Sequence, residues 1–220
     1  MVVAWVVAFA LVLGAGGVAV LVLNATAFGA AGFVRVYLDA VARGDAEGAL
    51  GMPGVVVDSG LRDDFLGDDA LAGLTEVRDV STVRTADGTE VVTVAWTAGS
   101  ITSTSTFTVK RVGSRLALFP EWAFAVSPVS TLRLTVENDD RFDVNGVAAA
   151  SGAGAEPVDY AVLTPGVYRV DHSSTYLRAR AIDAVADAPA GVVEATLEVL
   201  ATAVFREQIT SDVHDHLDEC

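Results

Sequence analysis

Glu90 to Lys110 reads EVVTVAWTAGSITSTSTFTVK, and its period is two. Val92, Val94 and Trp96 fall on one face of a strand, because side chains alternate along an extended chain. Ala98-Gly99 supplies a turn. The next run puts Thr102, Thr104, Thr106 and Thr108 on a polar outer face, with Ile101, Phe107 and Val109 inward. Two such runs joined by a short turn make an antiparallel hairpin with one wet face and one buried face.

The pattern extends both ways. Upstream, Val77 to Thr85 is a further strand and Asp87-Gly88 a hairpin turn. Downstream, Gly113-Ser114 is expected to turn the chain into a fourth strand, Arg115 to Phe119. Before the strands, Phe33, Tyr37 and Val41 recur every four residues with Val34 and Leu38 beside them, the stripe of an amphipathic helix. Gly44 suits its end, and Asp45 caps a second short helix through Leu50. Met52 to Leu74 reads as irregular, broken by Pro53 and several glycines. Residues 33–125 are therefore expected to form an α+β domain of helix, short helix and antiparallel meander.

Pro120 to Pro128 reads as a joint. Beyond it come Thr131 to Glu137, Arg141 to Val144, Tyr160 to Leu163, Val167 to His172, Tyr176 to Val185 and Val192 to Leu200. Asn145-Gly146 and Thr164-Pro165-Gly166 are turns, the latter with Pro fixing φ and Gly supplying a positive φ. Ala148 to Ala155 reads as a flexible loop. Short strands at this spacing predict a small β-sandwich over residues 129–200. Phe205, Ile209, Val213 and Leu217 then mark a C-terminal amphipathic helix within residues 201–220. The fragment from Gly32 to Phe124 is expected to fold alone.

No charged residue occurs before Arg35, and Val2 to Leu23 (VVAWVVAFALVLGAGGVAVLVL) lacks any strong polar group. As a helix it spans roughly 33 Å, about the thickness of a bilayer core. Residues 1–24 are expected to be a transmembrane anchor and 25–32 a hinge. The run is longer than a signal-peptide core and has no basic n-region. Ala25-Thr26-Ala27 nevertheless offers a small-residue cleavage site, so removal of the segment stays open.

The chain carries 29 acidic and 14 basic residues, net charge -15. That surface repels phosphate backbones, so nucleic acid is excluded as a partner. Ala, Val, Gly and Asp richness with Lys110 as the one lysine looks like a high-GC bacterial coding sequence.

Tyr37 to Leu50 (YLDAVARGDAEGAL) followed by a meander resembles the opening of NTF2-like and cystatin-like domains. The wider order is an anchor, this domain, a joint with Trp122 and Phe124, then a sandwich. In the sandwich, Asp143 to Gly146 (DVNG) precedes Leu163 to Val170 (LTPGVYRV). That order resembles membrane-anchored envelope proteins of the TcaA type and their actinobacterial relatives. The resemblance implies an extracytoplasmic C-terminal part, against a strict positive-inside count on Arg35 and Arg43. Relatives place a cytoplasmic zinc ribbon before the helix, and this sequence has none. The family brings no catalytic residues.

Several clusters invite chemistry. Asp58, Asp63, Asp64, Asp68 and Asp69 crowd one stretch, and Asp139, Asp140, Asp143 and Asn145 another. Neither has the calcium-loop spacing D-x-[DN]-x-[DN]-G. Asp212, His216 and Cys220 recur at i, i+4, i+8, but a metal needs a further ligand or an open position. No metal, no cofactor and no catalytic residue is expected. Trp96, Trp122, Tyr37 and Phe107 either line a cleft or fill it.

Three readings follow. The chain is a membrane-anchored envelope protein that binds a wall component or another envelope protein. Alternatively it is an enzyme with a carboxylate site in the first domain, or a spacer for a further C-terminal domain. Cys220 is the lone cysteine. An unpaired thiol outside the cytoplasm is anomalous, and Leu217 to Cys220 (LDEC) resembles an entry motif to a further domain. Cys220 is thus a disulfide candidate toward a downstream partner, with an intermolecular bond and a free thiol as alternatives.

Overall fold

The computed structural model describes residues 28–71, 73–115 and 118–218. The expected anchor Val2 to Leu23, the Ala25-Thr26-Ala27 site and Cys220 lie outside them. Among the described residues no helix is long and apolar enough to cross a membrane. The fold is mixed α+β, with most strands in antiparallel sheets and few helices.

Helix α1 (Ala30–Ala42) buries Val34, Tyr37, Leu38 and Val41, the stripe read from sequence. Helix α2 (Ala46–Leu50) begins at Asp45, whose carboxylate accepts from the Gly48 amide at 2.8 Å. Asp68 reaches over from a 3-10 turn (Asp68–Ala70) to accept from the Ala46 amide at 2.8 Å.

Strands β1 (Glu76–Arg84), β2 (Glu90–Ala98), β3 (Ile101–Arg115) and β4 (Phe119–Phe124) form a meander in that order. Val92, Val94, Trp96, Phe107 and Val109 are buried against α1, and Thr102, Thr104 and Thr106 face solvent. The expected turn at Gly113-Ser114 is not there. β3 runs on to Arg115, and the register slips between Arg111 and Gly113, where a glycine tolerates a bulge. The fourth strand is therefore Phe119–Phe124, inside the stretch read as a joint. Pro120 is tolerated because β4 is an edge strand needing donors on one side only.

The second part has two four-stranded sheets. Sheet one runs β10 (Leu177–Ala179), β12 (Val192–Ala201), β5 (Val129–Glu137), β8 (Val158–Leu163). Sheet two runs β11 (Ile182–Ala186), β9 (Gly166–Asp171), β6 (Arg141–Val144), β7 (Val147–Ala150). Leu132, Leu134, Val136, Val162 and Leu197 of one face Phe142, Val144, Tyr168 and Val170 of the other in a single core. β12 lies parallel to β5, from Val192 opposite Thr131 to Glu198 opposite Glu137.

Three local expectations change here. Asn145 and Gly146 take φ of 51° and 87°, a two-residue hairpin turn, so part of the expected loop becomes β7. Gly166 does not supply a positive φ. Thr164-Pro165 is cis and makes the turn, and Gly166 is required because a Cβ there would stand 2.9 Å from the Tyr168 ring. Tyr176 to Val185 is two strands, β10 pairing with β12 and β11 with β9.

The segment between α2 and β1 ties the two parts together. Pro53 accepts from the Phe124 amide at 2.9 Å, and Arg62 exchanges backbone bonds with Asp159 and Ala161 at 3.0 and 2.7 Å. Phe65 enters the sandwich core, with ring centroids 4.9 Å from Tyr160 and 6.1 Å from Phe142. In the other direction, the Tyr37 hydroxyl donates to the Thr164 carbonyl at 2.8 Å. Val129, Ala161, Leu163 and Val167 join the core beneath α1. Helix α3 (Ala203–Asp218) closes the described chain. Its expected stripe is exposed: Ile209, Val213 and Leu217 find no cover among the described residues, and only Phe205 meets a ring, Tyr176 at 5.7 Å.

Candidate functional site

In so acidic a chain each arginine has carboxylates to choose from. Arg35, Arg43, Arg62, Arg78, Arg84, Arg115, Arg133, Arg141 and Arg169 all have one as partner. Arg111, Arg178, Arg180 and Arg206 do not, among the described residues. The last three line one open depression of roughly 530 Å³ with no carboxylate on its wall.

Its floor comes from β10, the end of β12 and the first turn of α3. Ala179 is buried opposite Val199, so Arg178 and Arg180 on either side project outward together. Leu200, opposite Arg178, gives an apolar base, as does Val204; both are more than half exposed. Arg206 comes from the helix. Thr202 fixes the corner: its amide donates to the Tyr176 carbonyl at 2.8 Å and its hydroxyl to the Thr175 carbonyl at 2.9 Å. The same hydroxyl oxygen accepts from the Phe205 amide at 3.3 Å, an N-cap contact.

Two further cations, Lys110 and Arg111, are successive residues of β3 on the meander. They have no carboxylate partner among the described residues, and exposed Val112 follows them. Next to it a groove is lined by Phe28, Phe33, Val36, Pro53 and Trp122. The Trp122 indole donates to the Phe28 carbonyl at 2.9 Å, and the Phe28 ring lies tilted against Phe119 with centroids 4.5 Å apart.

The residues singled out from sequence do not converge. Asp58 caps its own loop at Gly60, Asp64 pairs with Arg62, and Asp68 serves α2. No group of three or more metal-ligating side chains occurs among the described residues. Asp212 accepts from Gln208 at 2.8 Å; the His216 side chain and Cys220 lie outside the description. Tyr37, Trp96 and Phe107 are fully buried and Trp122 nearly so, and together they fill the space between α1 and the sheet. Asn145 does more than turn the chain. Its side-chain amide donates to the carbonyls of Ala70 and Val167 at 2.7 and 3.0 Å, and its oxygen accepts from the Arg169 amide at 2.9 Å.

Among the described residues Asp139 is the most perturbed carboxylate. The Arg141 guanidinium hydrogen-bonded to it, with the amides of Arg141 and Asp140, pulls its pKa from 3.8 down to about 2 against a smaller opposing effect of burial. His172, almost wholly buried, sits with Nε2 3.8 Å from the Asp139 carboxylate. A depressed folded pKa means stability that is present above the unfolded value and lost as pH falls through the folded one. The wild-type chain is expected to be more stable than Asp139→Asn at neutral pH. That gap should shrink between about pH 4 and pH 2 in urea titrations. A gap constant down to pH 2 would dismiss the Asp139 contribution.

No protein-family model, curated protein or solved structure matches this chain significantly.

Proposed function

We propose that the chain is a membrane-anchored, extracytoplasmic envelope protein acting as a non-enzymatic binding module, akin in architecture to TcaA-type proteins. Its first part is the NTF2-like or cystatin-like unit of that architecture, and its ligand is a wall component or another envelope protein. The observation that carries this reading is the uncharged sequence before Arg35, of which Val2 to Leu23 is long enough to span a bilayer. The surface where the described chain begins supports it. Phe28, Phe33, Val36, Val112 and Trp122 line a largely apolar groove that also carries Glu121, and Lys110 and Arg111 precede Val112 in the same strand. Aromatic rings and lysine or arginine side chains suit the headgroup region of a bilayer.

The test is topological. A reporter active only outside the cytoplasm, fused after Pro128, is expected to be active, and the chain to stay with membranes through alkaline carbonate washing. An inactive reporter would reject the orientation, and release of a soluble chain cut after Ala27 would reject the anchor. The interlocked cores favour a rigid module over two swinging beads, which also suits a spacer.

A further inference from the structure

We propose that the depression between β10, β12 and the start of α3 binds the phosphate group of a small organic phosphate ester. This inference rests on the outer sandwich alone and does not depend on the anchor.

Three arginines, Arg178, Arg180 and Arg206, line one open depression in a chain of net charge -15, and no carboxylate lines it. Cations that share one depression without a carboxylate partner repel one another, and a bound anion relieves that repulsion. Arginine's fork of N–H donors fits phosphate oxygens two at a time. The start of α3 adds to the same field. A helix of this length leaves its first amides without intrahelical acceptors and carries partial positive charge there. One of those amides, on Phe205, is already capped by Thr202, while Ala203 and Val204, the first residues of the helix, line the depression.

The donor set selects among anions. One arginine can satisfy a carboxylate with a bidentate pair, whereas three forks donating two bonds each exceed its roughly four acceptor sites. A phosphate monoester offers three terminal oxygens and up to two charges. Long polyanions are disfavoured by the net charge of the chain. Leu200 and Val204 provide an apolar base beside the cations, so the phosphate should carry an organic group.

Position argues against a lipid headgroup of the anchoring membrane. β12 runs parallel to β5, so its end at Ala201 lies at the far end of the sandwich from Val129, where the chain leaves the meander. A nine-residue strand such as β5 spans about 30 Å. The depression thus faces away from the end where residue 28 enters the fold.

Phenyl phosphate is the probe, added to the full chain in uncharged maltoside micelles and followed by arginine Nε–H NMR and calorimetry. It should shift the signals of Arg178, Arg180 and Arg206 and bind more tightly than inorganic phosphate, and at least tenfold more tightly than benzoate. Each of Arg178→Gln, Arg180→Gln and Arg206→Gln should weaken binding by about tenfold, as expected for loss of a charge-assisted bond. These side chains are exposed and without carboxylate partners among the described residues, so thermal unfolding should stay unchanged. The double variant Lys110→Gln/Arg111→Gln should bind like wild type. Benzoate binding as tightly as phenyl phosphate would overturn the phosphate assignment. Equal binding by all three single variants, or no binding at millimolar probe, would overturn the site. Binding only to phosphatidylglycerol vesicles, with phenyl phosphate inert, would overturn the small-ester class in favour of a lipid.

Discussion

Phe65→Ala is expected to destabilise the whole described fold by about 3–5 kcal/mol, the cost of emptying a buried phenyl site. Domains of this size lose about 2–4 °C of melting temperature per kcal/mol, so the midpoint should fall by roughly 10 °C. The side chain is fully buried between Tyr160 and Phe142, in the core of the sandwich. Yet its backbone belongs to the segment between α2 and β1. Removing it weakens the sandwich core and also loosens the strap that holds the meander against it. One shared transition should therefore move in calorimetry, with no separate early transition for either part. The Gly32 to Phe124 fragment gives the complementary measurement. Its alternating strands favour folding alone. The residues it would expose, Tyr37 and Phe65 among them, give a reason for it to be less stable than the whole chain. Two well-separated transitions in the intact chain, with only one shifted by Phe65→Ala, would show that the strap does not couple the cores.

Much of the fold was legible because burial here follows simple periods. Val34, Tyr37, Leu38 and Val41 are four apart or adjacent to such positions, and all are buried. Val92, Val94 and Trp96 alternate, and all are buried. Signals failed where a residue's role depends on a distant part of the chain. Gly113 reads as a turn residue, but the bulge it permits is set by pairing with β4. Pro120 reads as a boundary, yet an edge strand accommodates it. Phe65 stands among aspartates in a stretch without any period, and only the folded chain shows that its ring completes the other part's core. One local signal was there: a large apolar pair, Phe65-Leu66, in an otherwise acidic loop.

The arginine-lined depression was still less legible. Arg178 and Arg180 are two residues apart, but Arg206 comes from another element. What distinguishes the three is that they line one depression while lacking carboxylate partners among the described residues, and both are properties of space. Asn145 shows the same limit in milder form. Sequence explains its turn, while its bonds to Ala70, Val167 and Arg169 join three segments that are remote in the chain.

Gly54→Ala is expected to cost at least about 3 kcal/mol, against about 1–2 kcal/mol for Gly88→Ala, whose loss is the left-handed backbone penalty alone. Both glycines have φ of +85°. A Cβ at Gly88 would meet nothing within 4 Å, because the residue sits in the β1–β2 hairpin turn facing solvent. A Cβ at Gly54 would stand 2.3 Å from the Phe124 carbonyl oxygen and 2.6 Å from its amide nitrogen. Those are backbone atoms of β4 and cannot swing aside as a long side chain would. Relief requires the Pro53-Gly54 corner to lift off the strand, which breaks the 2.9 Å bond from the Phe124 amide to the Pro53 carbonyl. It also pulls on a core where Phe124 packs against Phe33 and Tyr37 at 5.0 and 5.2 Å. The pair of variants therefore separates two effects that share one φ. Urea midpoints should rank wild type above Gly88→Ala and Gly88→Ala well above Gly54→Ala, with amide exchange accelerated at Phe124 only in the latter. Equal losses in the two variants would mean that backbone conformation alone sets the cost and that the strap does not press on β4.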